Sequence, residues 1–248
     1  MRIVRKIKAF KFYNVGIITI RSLLFLFCIG FGKVNAEPLT IVTELSPPYQ
    51  TLEQNHIGGY ATEQVRAFML KANLSYEIEM YPWARAFRQA LNKPNTLIYA
   101  IAKTPERLDK FHWFIKVYEF RPYLVGHDDK ALLQVKSLQQ VKEYSIAVQR
   151  HDYAHEYLSS IGFEEGKNLI LTNSIVDSWH LLKNKKVDFV VEEFEYDPIS
   201  ESGEEFKYKK YIPLKSLWQS TYLAANKNLD KDVLEKMMST MKEFEQTR

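Results

Sequence analysis

The sequence predicts an α/β protein of two lobes, each a mostly parallel sheet flanked by helices. Three observations carry this reading. Strand-like and helix-like stretches alternate along the chain, the pattern that builds parallel sheets with helical crossovers. The alternation runs twice with different residues, around a strand-rich join near Phe120–Val125. The composition, 46% hydrophobic, 26% charged and 14% aromatic over 248 residues, is that of a folded chain and excludes a disordered or collagen-like one.

Leu39–Thr43 is a short β-type run, broken into a loop by Ser46-Pro47-Pro48-Tyr49. Gly58-Gly59 precedes a helical pattern that places Val65, Phe68 and Met69 on one face. Tyr76–Met80 alternates like a strand, and Trp83–Leu91 is helical. The apolar run Thr96–Ala102 reads as a buried strand. Thr104-Pro105-Glu106-Arg107 then opens a turn. In the second run Tyr144–Val148 is a strand. Asp152 can N-cap a helix to Ser160, which Gly162 can end. Leu169–Leu171 is a strand, Ile175–Asn184 a helix and Val187–Val191 a buried strand. The last helix runs from Asp230 to about Phe244, with Val233, Met237, Met238 and Met241 on its inner face.

Residues 1–36 have the pattern of a secretory signal: a basic start, an apolar stretch from Leu23 to Phe31, and Val34-Asn35-Ala36 with small residues at both recognition positions. Cleavage after Ala36 and a periplasmic location are expected. The alternative, an uncleaved anchor, would hold Arg21 in mid-span at a cost of a few kcal/mol. The segment carries seven of the 34 basic residues and no acidic ones. Without it 27 basic residues face 30 acidic ones, a net charge of −3. A mildly acidic body lacks the basic face that a nucleic-acid binder needs. Cys28, the sole cysteine, lies in the apolar stretch, so the exported chain would have no disulfide, thiolate metal site or cysteine nucleophile.

Open α/β sheets bind ligands beyond the carboxyl ends of their strands. That rule brings Glu44–Tyr49, Ala102–Arg107, Gln149–Tyr153 and Glu192–Glu195 to a candidate cleft. His151 and His155 have i, i+4 spacing, but no third ligand or H-E-x-x-H motif accompanies them, so no metal is expected. No nucleophile elbow or P-loop is present, and no cofactor is expected.

Several stretches resemble the bacterial extracellular solute-binding proteins of family 3, which serve polar amino-acid ABC importers. They are Thr43-Glu44-Leu45-Ser46-Pro47-Pro48-Tyr49, Gly58-Gly59-Tyr60, Thr104-Pro105-Glu106-Arg107 followed by Phe111-His112-Trp113-Phe114, and Lys186-Val187-Asp188-Phe189-Val190-Val191-Glu192-Glu193. The resemblance covers essentially the whole exported chain. It implies a type II periplasmic-binding-protein-like fold with lobe 1 over 37–119 plus 223–248 and lobe 2 over 120–222. The hinge crossings would fall near Phe120–Tyr123 and Ser220–Leu223. It further implies a monomer that captures a small solute by lobe closure for a membrane ABC permease or a sensor, without catalysis.

By position, Arg107 matches the family's arginine that clamps a ligand α-carboxylate, a task suited to the guanidinium fork. A surface pairing with Glu106 or Asp109 is the plainer alternative. Glu193 matches the acid that receives the ligand ammonium, and its neighbour Glu192 could take that role instead. Trp83, one residue out of the family spacing, and Tyr49 are candidate aromatic contacts; core packing is the alternative for both. The sequence departs from the family at Ala100 and Ala102, where a hydroxyl is common at the second position, and at Arg150-His151-Asp152, where a Gly-Ser or Gly-Thr pair is usual. With Arg85, the three arginines suggest a ligand with more than one carboxylate, unless Arg85 and Arg150 lie on solvated faces. The candidate ligand-binding residues are therefore Arg107, Glu193, Trp83, Tyr49, Arg85, Arg150 and Asp152. Two other roles exist on this fold: an exported dehydratase for cyclic carboxylic acids, with Glu193 moving a proton, and an orphan ligand sensor.

Overall fold

A computed structural model describes residues 38–129, 132–193 and 208–246. The export segment with Cys28, and Glu195 of the acidic run, lie outside the described residues. In chain order the elements are β1 (Leu39–Thr43), the hairpin strands β2 (Thr51–Glu53) and β3 (His56–Gly58), α1 (Tyr60–Ala72), β4 (Tyr76–Met80), α2 (Trp83–Asn92), β5 (Thr96–Ala102), the single turn α3 (Pro105–Leu108) and β6 (Phe111–Phe120). There follow β7 (Tyr123–His127), α4 (Leu138–Val141), β8 (Ile146–Gln149), α5 (Tyr153–Ser160), β9 (Leu169–Thr172), α6 (Ile175–Lys183), β10 (Phe189–Glu192), β11 (Tyr208–Pro213), β12 (Gln219–Asn226) and α7 (Lys231–Gln246).

Two five-stranded sheets organise the described residues, in the orders β4-β1-β5-β12-β6 and β11-β7-β10-β8-β9. In the first, β4, β1 and β5 are parallel, and β12 runs antiparallel to both β5 and β6. In the second, β10, β8 and β9 are parallel, and β7 runs antiparallel to both β10 and β11. Each sheet thus has four strands pointing one way and one reversed strand. The reversed strands are the two that arrive from the other sheet: β7 directly after β6, and β12 after β11. Phe120 ends the first sheet's β6 and pairs with Gln219, so the return passage precedes Gln219 and lies ahead of the Ser220–Leu223 segment expected from the sequence.

Each sheet is covered on both faces, which explains its near-continuous apolar strands. Successive residues alternate between two cores. Leu39, Ile41, Leu97 and Tyr99 pack with Val65, Phe68 and Met69 of α1 and with Met237 of α7. Val42 and Ile98 pack on the opposite face with Trp83, Ala86 and Ala90 of α2. In the second sheet Ile146, Val148, Phe189 and Val191 face one core, while Ala147 and Val190 face Trp179 and Leu182 of α6. Met238, expected on the inner face of the last helix, is exposed; Met237 and Thr240 are its buried residues.

The local signals act as their chemistry requires. Asp152 Oδ1 accepts the His155 amide at 2.6 Å and caps α5. Ser174 caps α6 through the Asp177 amide at 3.1 Å. Gly59, with φ +96°, admits no side chain, because a Cβ there would meet the Tyr49 carbonyl oxygen at 2.6 Å. One feature of β5 has no signal in the sequence. Ala100 has φ +63°, and Tyr99–Ala100 stand opposite the single residue Leu223 of β12, a β-bulge. The bulge breaks the alternation, so Ile101 joins the core of Ile98.

Candidate functional site

A cavity lies beyond the carboxyl ends of the parallel strands, between the two sheets. Glu44 and Ser46 after β1, Ala100 and Ala102 of β5, Arg107 of α3, and Trp83 at the start of α2 line it from the first sheet's side. Gln149, Asp152 and Tyr153 after β8, and Val191 and Glu192 of β10, line it from the second. Tyr118 and Phe120 at the end of β6 and Thr221 near the start of β12 complete the wall. The cavity measures about 80 Å³. A single water needs only roughly 10–15 Å³ on this measure, so several waters or a small polar solute fit.

The sides touch through polar contacts that span the sheets. Arg107 Nη2 donates to Glu156 Oε1 at 2.7 Å and to the His151 carbonyl at 3.4 Å. Trp83 Nε1 donates to the same carbonyl at 2.7 Å. Gln149 Nε2 donates to Glu44 Oε2 at 2.5 Å, and the Tyr49 hydroxyl to Glu193 Oε2 at 3.0 Å. His151 takes a left-handed backbone, φ +62°, and its N–H donates to His155 Nδ1 at 3.1 Å. A non-glycine residue held there is the kind of local strain that recurs at functional sites.

Arg107 is the central group. It is 1% exposed, yet its Nε and Nη1 have no hydrogen-bond partner among the described residues. Phe87 and Trp83 lie 5.0 and 5.7 Å from its Cζ, as aromatic faces beside a cation. Buried guanidinium donors left unpaired cost free energy. A carboxylate entering the cavity would remove that cost.

Three acids line the same cavity. Burial pushes Glu44 up to about 8, with Asp152 and Glu192 adding to the rise and the Gln149 hydrogen bond and Arg107 opposing it. Burial pushes Asp152 up to about 7 against the His155 amide and Arg107. Burial also pushes Glu192 up to about 8, partly offset by the Glu193 amide. Desolvation therefore outweighs the Arg107 cation at Glu44 and Asp152, and the Glu193 amide and the Trp179 hydrogen bond at Glu192.

The structure places the sequence candidates as follows. Arg107, Trp83 and Asp152 line the cavity together. Glu193 does not line it; Glu192 does, while Glu193 is held by Tyr49 beside it. Tyr49 stacks on Tyr118 at 3.8 Å with rings 10° from parallel, and Tyr118 forms the wall. Two candidates are corrected outright. Arg85 is exposed and lies over the Tyr81 ring at 3.9 Å. Arg150 is exposed and paired with Glu165 at 3.4 Å. Both point away from the cavity because they occupy the solvent sides of α2 and of the turn after β8, so the cluster of three arginines does not form. Glu44, Gln149, Tyr118 and Glu156 were missed as single residues. The position of Glu44 directly after the first strand was the available signal. Among the described residues no group of three or more His, Cys, Asp or Glu is placed to hold a metal, and no helix is long and apolar enough to cross a membrane.

No protein-family model matches the sequence, and no curated protein does. The likeness lies in three dimensions. A histidine kinase sensor domain with similarity to periplasmic binding proteins superposes with a TM-score of 0.71 at 18% identity, over 85% of this chain and 91% of that one. The arginine-, lysine-, histidine-binding protein ArtJ from Geobacillus stearothermophilus gives 0.70 at 19% identity, over 85% and 90%. The GluR0 ligand-binding core from Nostoc punctiforme, in complex with L-glutamate, gives 0.65 at 16% identity, over 85% and 94%. The chain thus has the two-lobed fold of periplasmic binding proteins.

Proposed function

We propose that this chain is an exported solute-binding protein of the family 3 type, which captures a small amino-acid-like solute in the cavity between its lobes. The observation that carries the reading is Arg107: buried, central, and with two guanidinium nitrogens unpaired in a cavity at the strand ends. A ligand carboxylate meets a guanidinium through charge-assisted hydrogen bonds. The acids around it suit the ammonium of a zwitterion. A ligand with several carboxylates is disfavoured, because Arg85 and Arg150 lie elsewhere and Glu44, Asp152 and Glu192 face the space.

The contacts across the sheets give closure its physical content. Trp83 to His151, Arg107 to Glu156 and Glu44 to Gln149 form only when the sides meet. A ligand that touches both sides favours that state by its differential affinity for it. The closed monomer would be read by an ABC permease; the likeness to ArtJ supports an importer, and that to a kinase sensor domain supports a receptor. No catalytic step or cofactor is assigned.

A thermal-shift panel of the twenty common amino acids, small dicarboxylates and a cyclohexadienyl carboxylic acid tests this reading. At 100 times its Kd a bound solute stabilises by about 2.7 kcal/mol, a shift of several degrees. Stabilisation by at least one α-amino acid, lost in Arg107→Ala, is the expected result. A flat panel, or conversion of the cyclic acid to product, refutes it. Co-purification with a permease or a kinase separates the two partners.

A further inference from the structure

One backbone group in the turn between β8 and α5 receives two contacts from the other sheet's side. The His151 carbonyl accepts from Trp83 Nε1 at 2.7 Å and from Arg107 Nη2 at 3.4 Å. A left-handed backbone at His151, φ +62°, aims that carbonyl. A non-glycine residue stays in this sparsely populated region only where its surroundings hold it there. The support is local: the His151 N–H donates to Nδ1 of His155, in the first turn of α5, at 3.1 Å. A backbone N–H can only donate, so Nδ1 is the bare nitrogen of a neutral ring whose proton sits on Nε2. A protonated imidazole carries hydrogens on both nitrogens and accepts at neither. Protonation would therefore set one N–H against another and remove the support.

We propose that neutral His155 is the positioning residue of the closed state, holding the His151 carbonyl where Trp83 and Arg107 meet it, and that protonation of His155 releases this contact and the captured solute with it. The release rests on the capture role proposed above; the positioning of the carbonyl does not.

The charged surroundings of the ring set the direction of its titration. Burial, then His151 and Arg150 in the turn, favour the neutral form, while Glu165 ahead of β9 and Glu156 of α5 favour the charged one; together they hold His155 below its ordinary 6.5. Asp152 accepts the His155 amide at 2.6 Å, and Arg107 pairs with Glu156 at 2.7 Å beside it. The closed state needs the neutral ring, so His155's contribution to closure is present above its pKa and lost as pH falls through it. Glu44, Asp152 and Glu192, pushed up to about 8, 7 and 8, take up protons on the same descent. A variant at position 155 that leaves those carboxyls in place is what singles out the histidine.

The test is nitrogen-15 NMR of the full chain without ligand, titrated from about pH 8 to about pH 5 across the range in which histidine changes charge. His155→Asn assigns the ring signals and Trp83→Phe the indole N–H. Neutral His155 should carry its proton on Nε2, and the Trp83 indole signal should move with the His155 midpoint. His155→Asn keeps an acceptor at the same distance from the backbone and cannot titrate, so its Trp83 signal should stay at the neutral-pH position through that midpoint. His155→Phe keeps a ring and loses the acceptor, so its Trp83 signal should be displaced already at about pH 8. A proton on Nδ1 of neutral His155, a Trp83 signal that ignores the His155 midpoint, or one that still moves there in His155→Asn overturns the proposal. The tautomer and the midpoint are read on the unaltered chain and decide the matter even if a variant fails to fold. For the release, each of the twenty common amino acids is titrated calorimetrically at about pH 7.5 and about pH 5.5. The tightest binder should weaken about three- to tenfold more in the unaltered chain than in His155→Asn, the worth of one hydrogen bond. Equal weakening overturns the release while leaving the capture role intact. Binding by none of the twenty at either pH removes the capture role and the release with it, and the Trp83 and His155 signals still decide the positioning.

Discussion

Arg107 Nη2 lies 2.7 Å from Glu156 Oε1, and this pair joins the turn after β5 to the helix after β8 across the cavity. Arg107 is almost fully buried, whereas the Glu156 side chain is 39% exposed. One guanidinium nitrogen is thereby occupied from inside the molecule and two remain open. Glu156 places a negative charge beside the position proposed for a ligand carboxylate.

Removing that charge should favour the ligand. Glu156→Gln is expected to tighten binding of the amino acid that stabilises the protein most, by about fivefold, since a partly exposed ion pair contributes on the order of 1 kcal/mol. Parallel titrations of the variant and the unaltered protein measure this. Weaker binding in the variant would mean that the pair supports the liganded state instead.

The cavity acids set a pH dependence whose sign is fixed. Glu44, Asp152 and Glu192 are raised from 4.5, 3.8 and 4.5 to about 8, 7 and 8. Across that window the folded chain holds more protons than the unfolded chain, so their contribution to stability falls as pH rises and levels off above it. His155, lowered by burial, acts in the opposite sense through the lower part of the window. The decisive comparison is therefore Glu44→Gln against the unaltered protein. On going from about pH 5.5 to about pH 8.5 without ligand, the variant should lose several degrees less in Tm. Equal losses would show that Glu44 titrates as an ordinary carboxyl.

Gly59 holds the loop that carries Tyr49. Its φ of +96° and the 2.6 Å approach of the Tyr49 carbonyl oxygen to a would-be Cβ leave no room for alanine. Gly59→Ala should cost about 2 kcal/mol or more, roughly 4–8 °C in Tm for a chain of this size. A shift below about 1 °C would mean that the loop yields freely.

Much of this architecture was legible, and the reasons differ by element. Thr96–Ala102 was readable as β5 because a strand covered on both faces is apolar throughout. The helix over Tyr60–Ala72 was readable because Val65, Phe68 and Met69 share one face. The small hairpin Thr51–Gly58 and the long β6 and β12 were not anticipated as elements. The latter two take their partners from distant parts of the chain, and His112, Lys116, Gln219 and Ser220 interrupt their apolar character. In the candidate site, each of the four segments named by the strand-end rule contributes residues to the cavity, but Trp83, Tyr118, Phe120 and Thr221 line it from elsewhere, and side-chain direction decided between neighbours. Glu192 continues β10 into the cavity and Glu193 turns to Tyr49. The His151 carbonyl, which accepts from both Trp83 and Arg107, is a backbone group set by a left-handed turn. No pattern of residue types announces it.

The most direct measurement is the affinity of Arg107→Ala for the best-binding amino acid, by calorimetry, with the ligand-free Tm of both proteins recorded alongside. Truncating one partner of a buried, hydrogen-bonded charge pair typically costs 2–5 kcal/mol, so the variant should bind at least about 30-fold more weakly. Arg107→Lys, which keeps the charge and loses the fork, should fall between the two. An unchanged Kd in a folded Arg107→Ala protein would contradict the proposal that the solute's carboxylate is held at this residue.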